Sequence, residues 1–341
     1  MEETTQDLYT SVYNMDLYNP STIDYGNTDT GDGGLSYVAQ LIVYVFIGSF
    51  GLIGNIYVFV VLLKSGLTRK SIFNRLISYQ SFLDATASFW ILITCYIRYD
   101  QVLYGTAGDW YCKLWMSKCL MWGFFMASTY NLVLATLERY LNLIFPLTYK
   151  KFMTTRKVIT IMIIITFSSL VFHVLQESFT SGLPNNKVGK CILLSVFKSE
   201  SAARGVIFFT YVSQFFGPWL IMLFSYVHIF IFLFLKSRNN SMGQGPDGKR
   251  AEKLHNASMN ILKTMVTVCV VFFICYVGNM TSFVLIAFNV IKPYFDSPLY
   301  HVSTYLCFMN CTVNPIIYSI QYKDFQDASR KIFCGSSGGS A

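Results

Sequence analysis

The chain has 341 residues, of which 53% are apolar and 13% charged, with 30 Phe, 23 Tyr and a formal net charge of +8. So little charge on so much hydrophobic mass excludes a disordered chain, a collagen and a coiled coil. It also argues against a water-soluble domain, because apolar surface on this scale needs lipid around it.

Residues 1–35 form a zone of their own, with seven acids (Glu2, Glu3, Asp7, Asp16, Asp24, Asp29, Asp32) and no base. Tyr9, Tyr13, Tyr18 and Tyr25 lie beside or near these acids. The segment reads either as a solvated, disordered extracellular arm or as a Tyr-sulfated arm that attracts a basic ligand at long range. It holds no apolar h-region, so no cleavable signal peptide is expected, and the first hydrophobic block would act as signal-anchor.

Residues 36–322 hold seven hydrophobic blocks, at about Ser36–Leu63, Ile72–Ile97, Cys112–Leu141, Val158–Leu175, Gly205–Leu235, Met259–Val290 and Leu299–Ile320. The fourth is the shortest; the fifth and sixth are long enough to project beyond a bilayer, whose core takes about 20 residues of helix. Backbone groups in lipid must pair within the segment, so the blocks are expected to be helices. A strand barrel is excluded because runs such as Val158–Thr166 do not alternate. With the amino terminus outside, 18 of the 26 Lys and Arg fall on the inner side and none precedes Lys64. That asymmetry predicts a multi-pass plasma-membrane protein with a cytosolic carboxyl end, and it makes the net charge a topology signal with no bearing on nucleic acid. The sequons at Asn239, Asn256, Asn279 and Asn310 fall in spans or on the inner side, where glycosylation is not expected.

Several residues stand out along the spans. Gly54-Asn55 lies in the first, and Asp84 is a lone acid in the second, where an ionisable group is costly and marks a functional site. Glu138-Arg139-Tyr140 ends the third, with Pro146 beyond it; Pro218 and Tyr226 lie in the fifth, and Phe272 and Cys275 in the sixth. Asn314-Pro315-Ile316-Ile317-Tyr318 closes the seventh, and Phe325 follows Lys323-Asp324. Residue for residue, these resemble the motifs of the rhodopsin-like (class A) G-protein-coupled receptors over about Ser36–Cys334. The resemblance implies an all-α, seven-transmembrane helix bundle, then a short amphipathic eighth helix over 323–334 and a flexible tail over 335–341.

It also implies roles. Glu138 restrains Arg139 until activation, when an outward swing of the sixth helix opens a cytosolic cleft for a heterotrimeric G protein. Tyr140, Pro146, Tyr226, Asn314, Pro315 and Tyr318 belong to the same switch. Around Asp84 the expected neighbours are Asn55, Ser128, Asn310 and Asn314, either as an oxygen set for an allosteric Na⁺ or as an interhelical hydrogen-bond knot. Cys112 and Cys191 are the implied disulfide; their 27-residue spacing to Arg139 from Cys112 is about two longer than the family pattern, which calls for a bulge, an extra half turn or a higher bridge. Cys334 is a candidate palmitoylation site. The implied ligand pocket is lined by Met121, Trp122, Phe125, Thr210, Tyr211, Gln214, Tyr276, Asn279, Phe283, Tyr300 and Thr304, with Arg98 and Lys118 near the rim. Met121 in place of an acid argues against an amine, and Phe308 in place of a lysine argues against retinal. An aromatic, neutral-polar cavity under an acidic arm suits a peptide, with a lipid or small neutral ligand as the alternative.

Some positions depart from the family. Gln80 stands where a leucine is usual, Tyr276-Val277-Gly278 replaces Trp-x-Pro, Ile165 replaces a tryptophan, and Ser258 replaces an acid that pairs with the third-span arginine. The last change puts the inactive-state lock in doubt and hints at basal activity. An enzyme is not expected: His173, His228, His255 and His301 are not spaced as ligands, and no cofactor or nucleotide motif is present. A transporter lacks support because no inverted repeat is visible. A non-signalling decoy conflicts with the intact Glu138-Arg139-Tyr140.

Overall fold

Lipid offers a backbone no hydrogen-bond partners, and the chain answers with helices. The computed structural model describes residues 37–97, 101–183, 188–191, 200–240, 246–291 and 298–333. The acidic arm, Arg98, Cys334 and the tail lie outside the described residues. The long helices are α1 (Tyr37–Lys64), α2 (Ile72–Thr94), α3 (Cys119–Ile144), α4 (Thr155–Thr180), α5, α6 (Pro246–Ala287) and α7 (Pro298–Gln321), followed by the short α8 (Lys323–Phe333). Helix α5 runs through Glu200–Tyr211, a π-helical turn Val212–Phe216, and Gly217–Asn240.

Six of these, α1 to α6, are long and apolar enough to cross a membrane. Helix α7 falls outside that set because it carries Asn310, Thr312 and Asn314, but all three are buried, and α7 packs against α1, α2 and α6. Its polar residues therefore face protein, and the seven-helix bundle stands. Helix α4, expected to be the shortest, has 26 residues against 23 in α2. Its polar ends, Thr155 to Lys157 and Gln176 to Thr180, carry no hydropathy signal yet remain helical. Outward faces are apolar, as at Ile163, Ile164 and Phe167 on α4 and Phe224, Phe230 and Phe234 on α5.

Small residues let helices approach closely. A Cβ on Gly51 would lie 2.4 Å from Ser88 Oγ and 3.0 Å from Thr312 Oγ1, so α1, α2 and α7 meet where only glycine fits. In α5, Pro218 has no N–H to give the preceding turn, and the π-helical turn just before it absorbs the lost bond. A Cβ on Gly217 would fall 2.8 Å from Val212 O, inside that turn.

Ahead of α3 come a short helix, Gly105–Tyr111, and a second π-helical turn, Cys112–Met116. Lys118 then adopts φ 60°, a left-handed break before Cys119. The extra residues between Cys112 and Arg139 are thus taken up by a bulge together with a helix break. Cys112 is bonded to Cys191. Nearby, Leu103 and Tyr104 pair antiparallel with Gly189 and Val188 in a two-residue ladder. Asp109 braces the same end, 2.7 Å from Lys113 Nζ and accepting the Leu183 N–H at 2.9 Å. At the opposite end α8 folds back on α1: Phe325 is buried with its ring edge-on to Tyr57, and Tyr57 and Ser329 share a hydrogen bond of 2.5 Å.

Two outcomes follow for stability. Cys112→Ser and Cys191→Ser should each cost about 2–4 kcal/mol, and the double variant should be no worse than either single one; thermal unfolding of purified protein checks both. Gly51→Ala should lower the unfolding midpoint, as overpacking costs roughly 1–3 kcal/mol. Gly205→Ala, which meets nothing within 4 Å, should not.

Candidate functional site

At the Arg139 end of α3, the guanidinium lies against its neighbour's carboxylate, with Nε 2.5 Å from Glu138 Oε2 and Nη2 3.0 Å from Oε1. Glu138 is fully buried and also accepts a hydrogen bond of 3.0 Å from the Tyr149 hydroxyl. Pro146 opens the short helix Pro146–Phe152 that brings Tyr149 there. Burial, with the Glu138 carboxylate beside it, pushes the Tyr149 phenol up to about 12, so it remains a donor at neutral pH. The other face of the guanidinium stacks on Phe73, 4.0 Å from the ring centroid. Arg139 is therefore held by its own neighbour and by α2, and Ser258 on α6 supplies no carboxylate. Neither Phe73 nor Tyr149 carries a sequence signal of its own.

A narrow recess opens beside this pair, between Arg139, Leu143, Tyr226, Ile229, Ser258 and Met265. It is roofed mainly by apolar side chains of α3, α5 and α6. The Tyr226 hydroxyl shares a hydrogen bond of 2.6 Å with Thr136, and the Tyr140 hydroxyl one of 3.0 Å with His228. Tyr318 is buried, and Tyr322, just past the end of α7, donates its hydroxyl to Asn74 on α2. Of the switch residues expected from sequence, Glu138, Arg139, Tyr140, Pro146 and Tyr226 lie at this end of the bundle, whereas Asn314 lies deeper, bonded to Asp84. Pro315 packs on α1 at Gly54.

Deeper in the bundle, Asp84 is fully buried. Ser128 Oγ donates to its Oδ1 at 2.6 Å and Asn314 Nδ2 to its Oδ2 at 2.8 Å. Gln80 Nε2 lies 3.1 Å from both oxygens and 2.5 Å from Ser128 Oγ. Asn131 Nδ2 donates to Gln80 Oε1 at 2.8 Å and to Leu76 O at 3.1 Å. The expected partners Asn55 and Asn310 make no hydrogen bond to Asp84 among the described residues. Asn55 Nδ2 instead joins Gly51 O and Cys311 O at 2.8 and 2.7 Å, tying α1 to α7. Asn310 Nδ2, a donor, has no partner among the described residues, and neither do the acceptor oxygens Asn55 Oδ1 and Asn131 Oδ1, but none of the three is bonded to the Asp84 carboxylate. The groups on the carboxylate are N–H and O–H donors, and this set does not fit the oxygen shell that a Na⁺ would need.

At the disulfide end the expected pocket residues divide. Trp122 and Phe125 on α3 meet Phe308 on α7 at 6.0 and 5.8 Å between ring centroids, and Tyr44 of α1 joins Phe308 at 5.6 Å. Asn279 Nδ2 reaches Thr304 Oγ1 at 3.2 Å, Thr304 in turn donates to Tyr300 O, and Phe283 meets Tyr300 edge-on at 6.3 Å. Met121 and Tyr276 are buried; Tyr276 stacks on Phe272 at 4.7 Å. Two residues do not join them. Thr210 bonds Gln176, and Gln214 bonds His173 Nε2 at 2.9 Å, so both face α4. The π-helical turn in α5 adds a residue and shifts the register of everything before Pro218, which the sequence pattern does not reveal. In their place Tyr211 packs on Phe215, and Phe215 meets Phe272 and Phe273 of α6. Lys118 lies at the mouth of a separate crevice between α2 and α3, with Trp90, Trp115 and Met121.

Comparison with known proteins agrees with this geometry. The allatostatin-A receptor of Bombyx mori is 25% identical over 97% of this chain and 91% of its own length. Galanin receptor type 2 of Mus musculus is 24% identical over 91% of this chain and 80% of its own. Melanocortin receptor 3 of Homo sapiens is 25% identical over 62% of this chain and 59% of its own. The family model described as "7 transmembrane receptor (rhodopsin family)" matches residues 54–318, from Gly54 in α1 to Tyr318 in α7, and the chain belongs to that family of multi-pass membrane receptors.

Proposed function

We propose that a peptide is the ligand of this class A G-protein-coupled receptor, that it enters from the disulfide end, and that this end faces outside the cell together with the amino terminus. The allatostatin-A and galanin receptors, both peptide receptors, align with nearly the whole chain and support the ligand class. The acidic residues 1–35 supply the charge to attract a basic partner. The excess of Lys and Arg at the Arg139 end supports a cytosolic orientation for that end, in the plasma membrane. The family is one of receptors and not enzymes, so the chemistry is conformational, with no bond made or broken.

One observation carries the mechanism: Arg139 is clamped by Glu138 at the edge of a narrow apolar recess bounded by α5 and α6. A ligand that favours outward displacement of α6 widens this recess and frees Arg139, Tyr226 and Tyr318 to meet an amphipathic helix of a G protein. The aromatic contacts of Trp122 with Phe125 and of Tyr276 with Phe272 are the material through which a ligand would bias α6. A peptide-library screen with nucleotide exchange on purified G protein tests the ligand class; exchange driven by lipid extracts and by no peptide would overturn it.

Arg139→Ala should keep normal surface expression and lose most ligand-driven nucleotide exchange. Phe73→Leu and Tyr149→Phe should act in the opposite sense. Each removes one restraint on the Arg139–Glu138 pair and should raise ligand-free exchange by about 2- to 10-fold, the range expected for a lost cation–π contact or a lost hydrogen bond to a charge. Exchange assays at matched receptor density read both outcomes.

A further inference from the structure

The position of Gln80 in the buried network at Asp84 points to a property that the family motifs do not convey. Its amide nitrogen is equidistant from the two carboxylate oxygens, 3.1 Å from each. That is the bidentate notch of a carboxylate, the seat a small cation takes when it binds both oxygens. One N–H is shared across the notch and the other goes to Ser128 Oγ at 2.5 Å. The remaining acceptor positions are used as well, by the Ser128 hydroxyl on Oδ1 and by Asn314 on Oδ2. A carboxylate has about four acceptor sites, and here each oxygen has two donors against it.

The orientation of the Gln80 amide is fixed independently. Asn131 Nδ2 donates to Gln80 Oε1 at 2.8 Å, and Asn131 is itself anchored on Leu76 O. Turning the amide over would set its oxygen against two carboxylate oxygens and its N–H₂ against the N–H₂ of Asn131, losing the bonds of Gln80 to Asp84 and to Asn131. A leucine at this position would leave the notch open; glutamine closes it with a donor on the same helix, one turn from the acid.

We propose that the Gln80 side chain takes the place of a cation at Asp84, so that the conformational equilibrium of this receptor is set by an internal hydrogen-bond knot and is indifferent to sodium. The knot joins α2, α3 and α7 through Gln80, Asp84, Ser128, Asn131 and Asn314. Gln80 is a positioning residue: it holds the acid for Ser128 and Asn314 without touching ligand or G protein. A ligand stabilises a fold only if the folded state binds it, so a protein with a closed notch gains nothing from sodium as such.

The full-length receptor, purified in detergent, tests this without any agonist. Unfolding exposes the buried thiols Cys275, Cys307 and Cys311 to a thiol-reactive dye, which reports the midpoint. The probe is NaCl against N-methyl-D-glucamine chloride at equal ionic strength. The wild-type midpoint should differ by less than about 1 °C between the salts, and Gln80→Leu should gain about 2 °C or more in NaCl as sodium enters the opened notch. Asp84→Asn should be less stable than wild type by the same amount in both salts. A sodium-specific rise in the wild type overturns the proposal, and so does a folded Gln80→Leu protein with no rise. If Gln80→Leu does not fold, the wild-type comparison decides alone.

Discussion

Every part of this structure answers to the absence of water around the bundle. A polar group facing lipid has nothing to bond to, so backbone closes into helices and polar side chains gather on inner faces. Asp84, Asn131, Asn314 and Glu138 are all buried; the first three bond to other buried groups, and Glu138 bonds to the partly buried Arg139 and Tyr149. The polar character of α7, which weakens its hydropathy, follows from the same constraint. It is tolerated because α1, α2 and α6 surround its inner face. Where helices must approach to make these bonds, the chain spends glycine, as at Gly51 between Ser88 and Thr312.

The bundle accordingly has two kinds of interior. Around Asp84 the carboxylate is held by donors from Gln80, Ser128 and Asn314, a knot that spans three helices and offers α2, α3 and α7 little freedom relative to one another. Between α5 and α6 the contact is aromatic and apolar: Phe215 on Phe272 and Phe273, and Trp219 on Phe273 at 4.6 Å. Dispersion contacts of this kind slide and re-form without leaving a donor or acceptor stranded. The division assigns rigidity to one half of the receptor and adaptability to the other. The Arg139–Glu138 pair sits on the border, anchored to the rigid side through Phe73.

Most of the architecture was legible from hydropathy, because an uninterrupted apolar run longer than a bilayer leaves few alternatives. The motif residues were legible through their resemblance to those of a known receptor family, and Asp84 also because a lone acid is costly in lipid. What escaped was register and reach. Thr210 and Gln214 were assigned to the pocket by resemblance, but their hydrogen bonds go to Gln176 and His173 on α4, next to the π-helical turn Val212–Phe216. Lys118 in a left-handed conformation has no side-chain signature at all. The length of α4 was underestimated because its polar ends look like loop. Gln80 was visible only as a missing leucine, since its meaning depends on Asn131 and Ser128, which lie 51 and 48 positions away. Phe73 and Tyr149 gain their roles only when α2 and the helix after Pro146 are folded against α3.

Helix α6 passes through Tyr276-Val277-Gly278 as one hydrogen-bonded rod, from Pro246 to Ala287, with no proline at the point where its family relatives have one. A rod transmits rotation instead of absorbing it. From Tyr276 to Ser258 the axis runs about 27 Å at 1.5 Å per residue. A tilt of roughly 10° at the aromatic layer therefore carries the far end about 5 Å sideways, close to one helical pitch. In mechanical terms, under the outward displacement proposed above, α6 would act as a stiff lever whose gain is set by the length of the arm.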